Sequence, residues 1–232
     1  MDHVATLRQA RFRDAEGPRY PDPLAAALVA ERAGAAQITV HLRGDRRHIV
    51  DDDLSRLRAS VQTELNVEAA CTEEMAGVLL ATRPHRVTLV EERPGEVTTE
   101  GGLDVVRHLD EVGAFVARLQ DAQIRVSLFI DPVAKQIRAA RTLPGIDMVE
   151  LNTAAYAEDG ADALTRLTDA TELARSIGLA VAAGHGLTLH NLRALVRAAP
   201  HIEEYNIGHA LVGDAVFLGL HESVRRYLEL LA

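Results

Sequence analysis

Side chains that can bind anions or transfer protons cluster where a β-forming run ends. The stretch ITVHLRGDRRHIVDDDL, residues 38–54, passes from apolar and β-branched residues into three arginines and two histidines. A surface salt bridge to Asp45 would contribute about 0–1 kcal/mol, whereas an arginine bound to phosphate adds about 1.5–3 kcal/mol per hydrogen bond. We therefore favour an anion site formed by the whole cluster HLRGDRRH, residues 41–48, over a salt-bridged loop, with His41 and His48 as its titratable groups.

Other predicted strands also end in polar side chains. Along the chain these are Glu68, Glu91 with Glu92, Asp131, Glu150 with Asn152, His185, Asn206 and His209. Helix capping is the expected role of Asp131, and Glu91, Glu92 and Arg93 have the pattern of a solvated loop. Because the C-terminal ends of parallel strands meet at one end of a barrel, the remaining carboxylates and histidines predict an acid/base site there.

Two glycine-containing turns predict phosphate binding. The segment AGHGLTLHN, 183–191, leads from strand to helix through Gly184, His185 and Gly186, and NIGHALVGDAVFLG, 206–219, does so through Gly208 and His209. The backbone N–H groups of both turns are candidates for phosphate contacts. Neither segment has a dinucleotide or P-loop spacing, so we expect no nucleotide cofactor. The polar segment GEVTTEGGLDV, 95–105, which contains Thr98, is predicted to be a ligand-binding loop or lid at the same end.

These side chains need a scaffold of alternating strands and helices. Strands are predicted at 37–42, 65–70, 86–90, 124–130, 148–152, 179–184 and 204–208, and helices near 24–33, 51–64, 72–82, 104–122, 132–142, 163–177, 188–198 and 214–231. This alternation is typical of a doubly wound sheet or a (β/α)₈ barrel, and residues 1–232 are expected to form one domain. A closed barrel of this class has eight strands, and only seven are predicted here. The absent one would precede Asp2, and we expect the natural start to lie upstream of Met1.

Composition excludes several classes of function. The 232 residues carry a net charge of −9, which argues against a general nucleic-acid or anionic-membrane binder. Cys71 is the single cysteine, so no intramolecular disulfide can form and a reducing compartment is expected. The first residues have no signal-peptide core, and no apolar run approaches the roughly 18 residues of a membrane span. The expectation is a cytoplasmic protein.

The order of motifs resembles that of the pyridoxine 5′-phosphate synthase family. The shared segments are DHVATLRQAR, YPDP, ITVHLRGDRRHI, LNVEAA with TEEM, EVTTEGGLDV, VSLFID, AGHGLTLHN and YNIGHALVG, which span nearly the whole chain. The resemblance implies a (β/α)₈ TIM barrel with extra helices, here with a truncated first strand, assembled as a homo-octamer. It also implies condensation of 1-deoxy-D-xylulose 5-phosphate with 3-amino-2-oxopropyl phosphate, without a metal or organic cofactor.

The resemblance further implies roles for individual residues. His41 and Glu68 are similar to the family's general bases, His185 to its proton donor and Glu150 to a carboxylate that supports the transition state. The deoxyxylulose phosphate would be held by Asp2, His3, Arg43, His48 and Thr98, and the amino-ketone phosphate by Arg11, Gly186, Gly208 and His209. The segment 12–19, directly after Arg11, is longer than the short turn that is usual at this place in the family.

Two other functions are considered. A metal-dependent sugar-phosphate isomerase or aldolase could use histidines and glutamates at a barrel mouth as ligands, although the cationic loop argues against a metal in that space. A non-catalytic sensor of phosphorylated metabolites would need the anion sites but no proton-transfer groups. Metal analysis would test the isomerase or aldolase. For the sensor, His41→Asn should leave ligand binding and function unchanged.

Overall fold

A single parallel sheet organises the chain. The computed structural model describes residues 1–12, 20–93 and 101–232. Within these ranges the sheet has seven strands, β1 (Gln37–His41), β2 (Glu64–Ala69), β3 (Arg86–Leu89), β4 (Arg125–Ile130), β5 (Met148–Asn152), β6 (Ala180–Gly184) and β7 (Glu204–Asn206). Each strand pairs in parallel with the next one along the chain. The predicted strands are confirmed, with small differences at their ends.

Helices separate successive strands and cover the outside of the sheet. They are α1 (Asp2–Phe12), α2 (Pro23–Ala33), α3 (Asp51–Ser60), α4 (Glu73–Thr82), α5 (Leu109–Asp121), α6 (Ala134–Thr142), α7 (Ala154–Asp159), α8 (Ala161–Ser176), α9 (Leu192–Ala198), α10 (His209–Leu218) and α11 (Leu220–Leu231). Strands β3 and β5 are buried along their whole length, as expected for a sheet with side chains packed on both faces. The predicted α/β barrel class is confirmed.

The barrel is nearly closed, and side chains join its two edge strands. Gln37 of β1 donates to the Glu204 carboxylate of β7 at 2.9 Å, and the Thr39 hydroxyl donates to Asn206 Oδ1 at 3.1 Å. The amino group of Met1 donates to the Thr39 carbonyl at 2.7 Å. Within the described ranges no strand lies between β1 and β7, so these contacts form a seam of side-chain hydrogen bonds.

Helix α1 is not predicted by the sequence pattern. Its buried side includes Val4, Ala5 and Arg8, so a charged residue stands where an apolar one would reveal the helical period. Arg8 is fully buried and makes a two-pronged ion pair with Asp53 of α3, at 2.6 and 2.7 Å. It also donates to the His48 carbonyl at 2.8 Å. Helix α1 is thereby joined to the segment that follows β1.

Several predicted helix ends are confirmed and others are wrong. The Thr72 hydroxyl caps α4 by accepting from Met75 N at 3.2 Å, and Gly34 ends α2 in the left-handed region at φ 107°. Asp131 does not cap α6, which begins at Ala134. The predicted helix at 104–122 begins only at Leu109, and the one at 214–231 is divided between α10 and α11 at Gly219, where φ is 78°.

Candidate active site

His41 and Glu68 occupy matching positions at the C-terminal ends of β1 and β2, an end we call the mouth of the barrel. Backbone register pairs the two residues directly, and His41 Nδ1 lies 3.6 Å from Glu68 Oε2. Burial disfavours the charged imidazole, but a hydrogen bond to Glu92 and the charges of Glu68 and Asp2 outweigh it and raise the pKa of His41. The pair can therefore hold a proton close to neutral pH.

Glu92 is the third member of this cluster, and its prediction as a solvated loop residue is wrong. One carboxylate oxygen lies 3.0 Å from His41 Nε2, and the other accepts from Gly44 N at 3.1 Å. The neighbouring Glu91 behaves differently, since it pairs with Arg93 and accepts from Asp104 N. Only one of two adjacent glutamates points to the mouth, so the imidazole is held between two carboxylates.

Glu150 lies in the barrel interior below this cluster. Its side chain accepts from Asn206 Nδ2 at 2.9 Å through one oxygen, while the other is buried and has no hydrogen-bond partner in the described part of the chain. Burial, followed by the charges of Glu68 and Glu204, raises the pKa of Glu150 well above its ordinary value. A Cβ on Gly184 would lie 2.3 Å from this carboxylate, so only glycine leaves room for it.

Burial is also the main cause that raises the pKa of Glu68, and the charge of Asp2 adds to it, against the opposing charge of His41. Two carboxyl groups with raised pKa values stand near a histidine whose pKa is raised as well. A raised pKa makes a carboxylate a better proton acceptor, as general base catalysis requires. The predicted acid/base chemistry of His41, Glu68 and Glu150 thus has a physical basis in this geometry.

The three arginines after β1 have different surroundings. Arg46 pairs with Asp51 at 2.8 Å and with Glu74 at 2.7 Å, and Arg47 pairs with Asp45 at 2.6 Å. Arg43 is buried, with its Nε 3.6 Å from an Asp45 oxygen. The interpretation of the whole cluster as an anion site is too broad, because two of its arginines form ion pairs near the surface. Arg43 is the one buried beside His41.

Asp2 and His48 complete the group around His41. The Asp2 carboxylate accepts from His41 N at 2.9 Å. Burial opposes its ionisation, yet the Met1 amino group, His48 and the hydrogen bond from His41 N lower the pKa of Asp2. His48 accepts from Ile49 N through Nδ1 at 2.9 Å, and burial lowers its pKa to about 4. The neutral His48 ring therefore carries its proton on Nε2 and can donate it to a substrate oxygen.

His3 and His209, predicted for different substrates, stand together. Their ring centroids are 5.1 Å apart in an edge-to-face arrangement, and a Cβ on Gly208 would lie 3.1 Å from His3 Nδ1. Burial lowers the pKa of His3, so its ring is neutral near pH 7. Gly208 directly precedes α10, whose first backbone N–H groups are of the kind that bind anions.

His185 and Gly186 form a turn of left-handed residues after β6, with φ values of 79° and 74°. The His185 ring stacks obliquely on Phe129 with centroids 4.6 Å apart, and the Thr153 hydroxyl donates to the carbonyls of Gly184 and His185. Helix α9 begins only at Leu192, after the predicted position 188. The predicted helix start at 188 is therefore wrong, and the phosphate contact predicted at Gly186 stays a prediction that would depend on the N–H groups of the turn itself.

The remaining predicted site residues are less closely connected. Arg11 lies exposed in the last turn of α1, and Thr98 lies outside the described residues. At the end of the predicted lid, Gly102 N donates to Asp131 Oδ1 at 3.0 Å, and Asn152 donates to the same oxygen at 3.0 Å. Asp131 thus anchors the segment after residue 100 instead of capping a helix. Sequence patterns did not predict this role.

Two features are absent from the described residues, a metal-binding cluster and a membrane-spanning helix. No three histidine, cysteine, aspartate or glutamate side chains in 1–12, 20–93 and 101–232 are grouped so as to hold a metal ion. Across the same ranges, no helix has the length and apolar character needed to cross a bilayer.

Known proteins resemble the chain over its full length. Two proteins named pyridoxine 5′-phosphate synthase are among the relatives. The one from Chlorobium chlorochromatii is 50% identical over 235 residues, covering 100% of this chain and 97% of the relative. The one from Geotalea daltonii is 49% identical over 235 residues, covering 99% and 95%.

Solved structures show the same fold at much lower identity. Tryptophan synthase from M. tuberculosis has a TM-score of 0.66 at 13% identity, covering 91% of this chain and 88% of that one. N-(5′-phosphoribosyl)anthranilate isomerase from Pyrococcus furiosus has a TM-score of 0.64 at 12% identity, covering 90% and 94%. These likenesses establish a TIM barrel. A family model described as pyridoxal phosphate biosynthesis protein PdxJ matches residues 1–232, and the chain therefore belongs to the PdxJ family.

Proposed function

We propose that the chain is a pyridoxine 5′-phosphate synthase. It would condense 1-deoxy-D-xylulose 5-phosphate with 3-amino-2-oxopropyl phosphate and release pyridoxine 5′-phosphate, inorganic phosphate and water. The observation that carries the proposal is the His41–Glu68 pair, 3.6 Å apart at the mouth of a barrel whose sequence belongs to the PdxJ family. A binding protein would have no need for two proton-transfer groups with raised pKa values at this place.

The proposed reaction requires several proton transfers. Addition of an amine to a ketone, loss of water, formation of an enol and an aldol-type ring closure each move protons between carbon, nitrogen and oxygen. In our proposal His41 and Glu68 act as the general bases. Glu150, whose pKa is raised by burial, supports charge that develops in the transition state. His185, which lies at the end of β6, serves as the proton donor.

Two phosphorylated substrates need two anion sites. We assign the deoxyxylulose phosphate to Arg43 and His48, with Asp2 and His3 beside them and Thr98 as a further contact. The amino-ketone phosphate is assigned to Gly208 and His209 at the start of α10, together with Gly186 and Arg11. The 5.1 Å separation of the His3 and His209 rings supports this division, because it brings the two assigned groups into contact where two substrates would have to meet.

One assay tests this function. The purified protein, mixed with both phosphates, should form pyridoxine 5′-phosphate at a rate that Glu68→Gln and His41→Asn each lower by about 10²–10⁴-fold, the usual cost of losing a positioned general base. Circular dichroism and thermal unfolding of the variants check that the fold survives. Wild-type rates in either variant would contradict the assignment of the bases.

The same assay separates the proposal from its rivals. A phosphometabolite sensor would bind a substrate but form no product, and its binding would be unaffected by His41→Asn. A metal-dependent isomerase or aldolase would need a metal that is removed by a chelator and detected by elemental analysis. Product formation that persists after chelation supports the synthase and contradicts the metal-dependent alternative.

We propose further that the chain assembles as a homo-octamer. Helix α10 supports self-association, because its sequence HALVGDAVFL is largely apolar while none of its residues is buried in the single chain. Phe217 is 89% exposed and Val216 is 71% exposed. Adjacent large apolar side chains with this exposure are typical of protein–protein contacts. We place the enzyme in the cytoplasm, a proposal supported by Cys71 as the single cysteine, since a disulfide framework cannot form within the chain.

A further inference from the structure

Glu92 contacts the proposed base through an arrangement that the proposed roles leave unused. Its side chain is only 17% exposed, and its two oxygens have separate partners. Oε1 lies 3.0 Å from His41 Nε2, and Oε2 accepts from Gly44 N at 3.1 Å. The second contact fixes the carboxylate to the backbone beside Arg43, so its orientation toward the imidazole is set by two contacts.

The charge state of Glu92 decides the direction of the hydrogen bond to His41. Burial opposes ionisation, but the hydrogen bonds from His41 and Gly44 N and the charges of His41 and Arg43 outweigh it and lower the pKa of Glu92. An ionised carboxylate can only accept. Nε2 of His41 must therefore carry a proton, and in the neutral ring Nδ1 is then the nitrogen with a free lone pair. Nδ1 is also the nitrogen that faces Glu68, at 3.6 Å.

We propose that Glu92 is a positioning residue for His41, which it holds in the Nε2–H tautomer so that Nδ1, on the Glu68 side, accepts the proton in the reaction. The arrangement of carboxylate, imidazole and reacting partner follows the logic of hydrolase triads, in which a buried carboxylate fixes the tautomer of the base. This inference rests on the proposed function for its kinetic consequence, but not for the state of the ring.

Other charged groups around His41 do not replace Glu92. Glu68 of β2 faces the opposite nitrogen. Asp2 of α1 contacts the backbone N–H of His41 instead of the ring. The His48 ring is 6.1 Å away between centroids, and its burial keeps it neutral near pH 7 because its pKa is lowered to about 4. Arg43 and the Met1 amino group are cationic. In the described residues, Glu92 is thus the acceptor that holds Nε2.

Glu92→Gln tests the inference in the full-length enzyme, with Glu91→Gln as the matched control. Glu91 is one residue away and bonds to Arg93 and Asp104 N but not to His41. We expect Glu92→Gln to lower kcat by about 10–10³-fold with little change in either KM, because substrate contacts remain while the base loses its orientation. Glu92→Asp, which keeps the charge, should recover at least about tenfold of that loss. Glu91→Gln should resemble the wild type.

The pH profile separates positioning from a general structural effect. Since Glu92 raises the pKa of His41, loss of its charge should move the acidic limb of kcat/KM to lower pH. An unchanged profile in a folded Glu92→Gln variant with wild-type kcat would overturn the inference. If that variant does not fold, the position of the proton on the His41 ring of the wild-type protein decides, as read by nitrogen-15 NMR.

Nitrogen-15 NMR of the resting protein gives a reading that needs no activity. Signals of His41 are assigned by their loss in His41→Asn and are followed to a pH at which the ring is neutral. We expect the proton on Nε2 in the wild type and in Glu91→Gln, and a shift toward the Nδ1–H form in Glu92→Gln. A wild-type ring protonated on Nδ1 would refute the inference. A protein that has the Nε2–H ring but forms no pyridoxine 5′-phosphate would instead overturn the proposed function.

Discussion

Loss of the buried Arg8–Asp53 ion pair is expected to lower the free energy of unfolding by several kcal/mol. Both side chains are essentially inaccessible, with 0% and 1% of their surface exposed, and they make two hydrogen bonds of 2.6 and 2.7 Å. Arg8→Met removes the guanidinium and leaves the Asp53 carboxylate buried without a counter-charge. Breaking a buried pair in this way costs about 3–5 kcal/mol, a large part of the 5–15 kcal/mol by which most domains are stable.

Chemical unfolding measures this loss. Urea slopes of about 1–3 kcal/mol per molar predict that Arg8→Met lowers the midpoint by at least about 1 M. Arg8→Met combined with Asp53→Leu should recover most of the stability, because no buried charge remains. The recovery should be incomplete, since Asp53 also accepts from Val50 N at 3.0 Å at the start of α3. This missing cap costs about 0.5–2 kcal/mol.

An exposed ion pair serves as the control. Arg118 and Glu73 are 2.6 Å apart but 42% and 85% exposed, so Arg118→Met should cost no more than about 1 kcal/mol. If Arg8→Met costs as little as Arg118→Met, the burial argument is refuted. If the double variant is no more stable than Arg8→Met, the penalty does not come from an isolated carboxylate.

Two further predictions concern the β6 turn and the exposed helix. His185→Ala should slow product formation while its unfolding temperature stays near that of the wild type. Gly186→Val should also lower the unfolding temperature, because φ at Gly186 is 74° and a Cβ there would lie 2.5 Å from the Ala157 methyl group. Equal unfolding temperatures of the two variants would contradict the strain at Gly186. Phe217→Glu should reduce the size of the assembly, as measured by size-exclusion chromatography with light scattering. Val133→Glu, at a position that is 44% exposed, should leave the assembly unchanged. An unchanged assembly in Phe217→Glu would exclude α10 from the subunit contacts.

The fold could be predicted because its signals are local. Most strands contain a short run of apolar or β-branched residues, and turn residues such as Gly34 and Thr72 mark where neighbouring helices end or begin. The placement of His41 beside Glu68 follows from the same logic, since consecutive parallel strands bring their C-terminal ends together. The residue-specific roles, in contrast, come from the resemblance to a family and stay predictions.

The parts that could not be predicted depend on long-range contacts. Glu91 and Glu92 have the same side chain and adjacent positions, and only the path of the loop decides which of them reaches His41. Arg8 and Asp53 are 45 residues apart in the sequence. The residues next to either one therefore do not indicate that its side chain is buried. Asp131 has the sequence context of a helix cap, but its carboxylate binds the backbone of a segment 29 residues earlier.

The side-chain seam between β1 and β7 has a consequence for the order of assembly during folding. All backbone pairing in the sheet joins strands that are neighbours along the chain, whereas Gln37 and Glu204 are 167 residues apart. Closing a flexible loop of that length first would cost about 4–5 kcal/mol in chain entropy, for side-chain hydrogen bonds that each contribute about 0.5–1.5 kcal/mol. We therefore expect the sheet to grow from strand to strand and the barrel to close at this seam last.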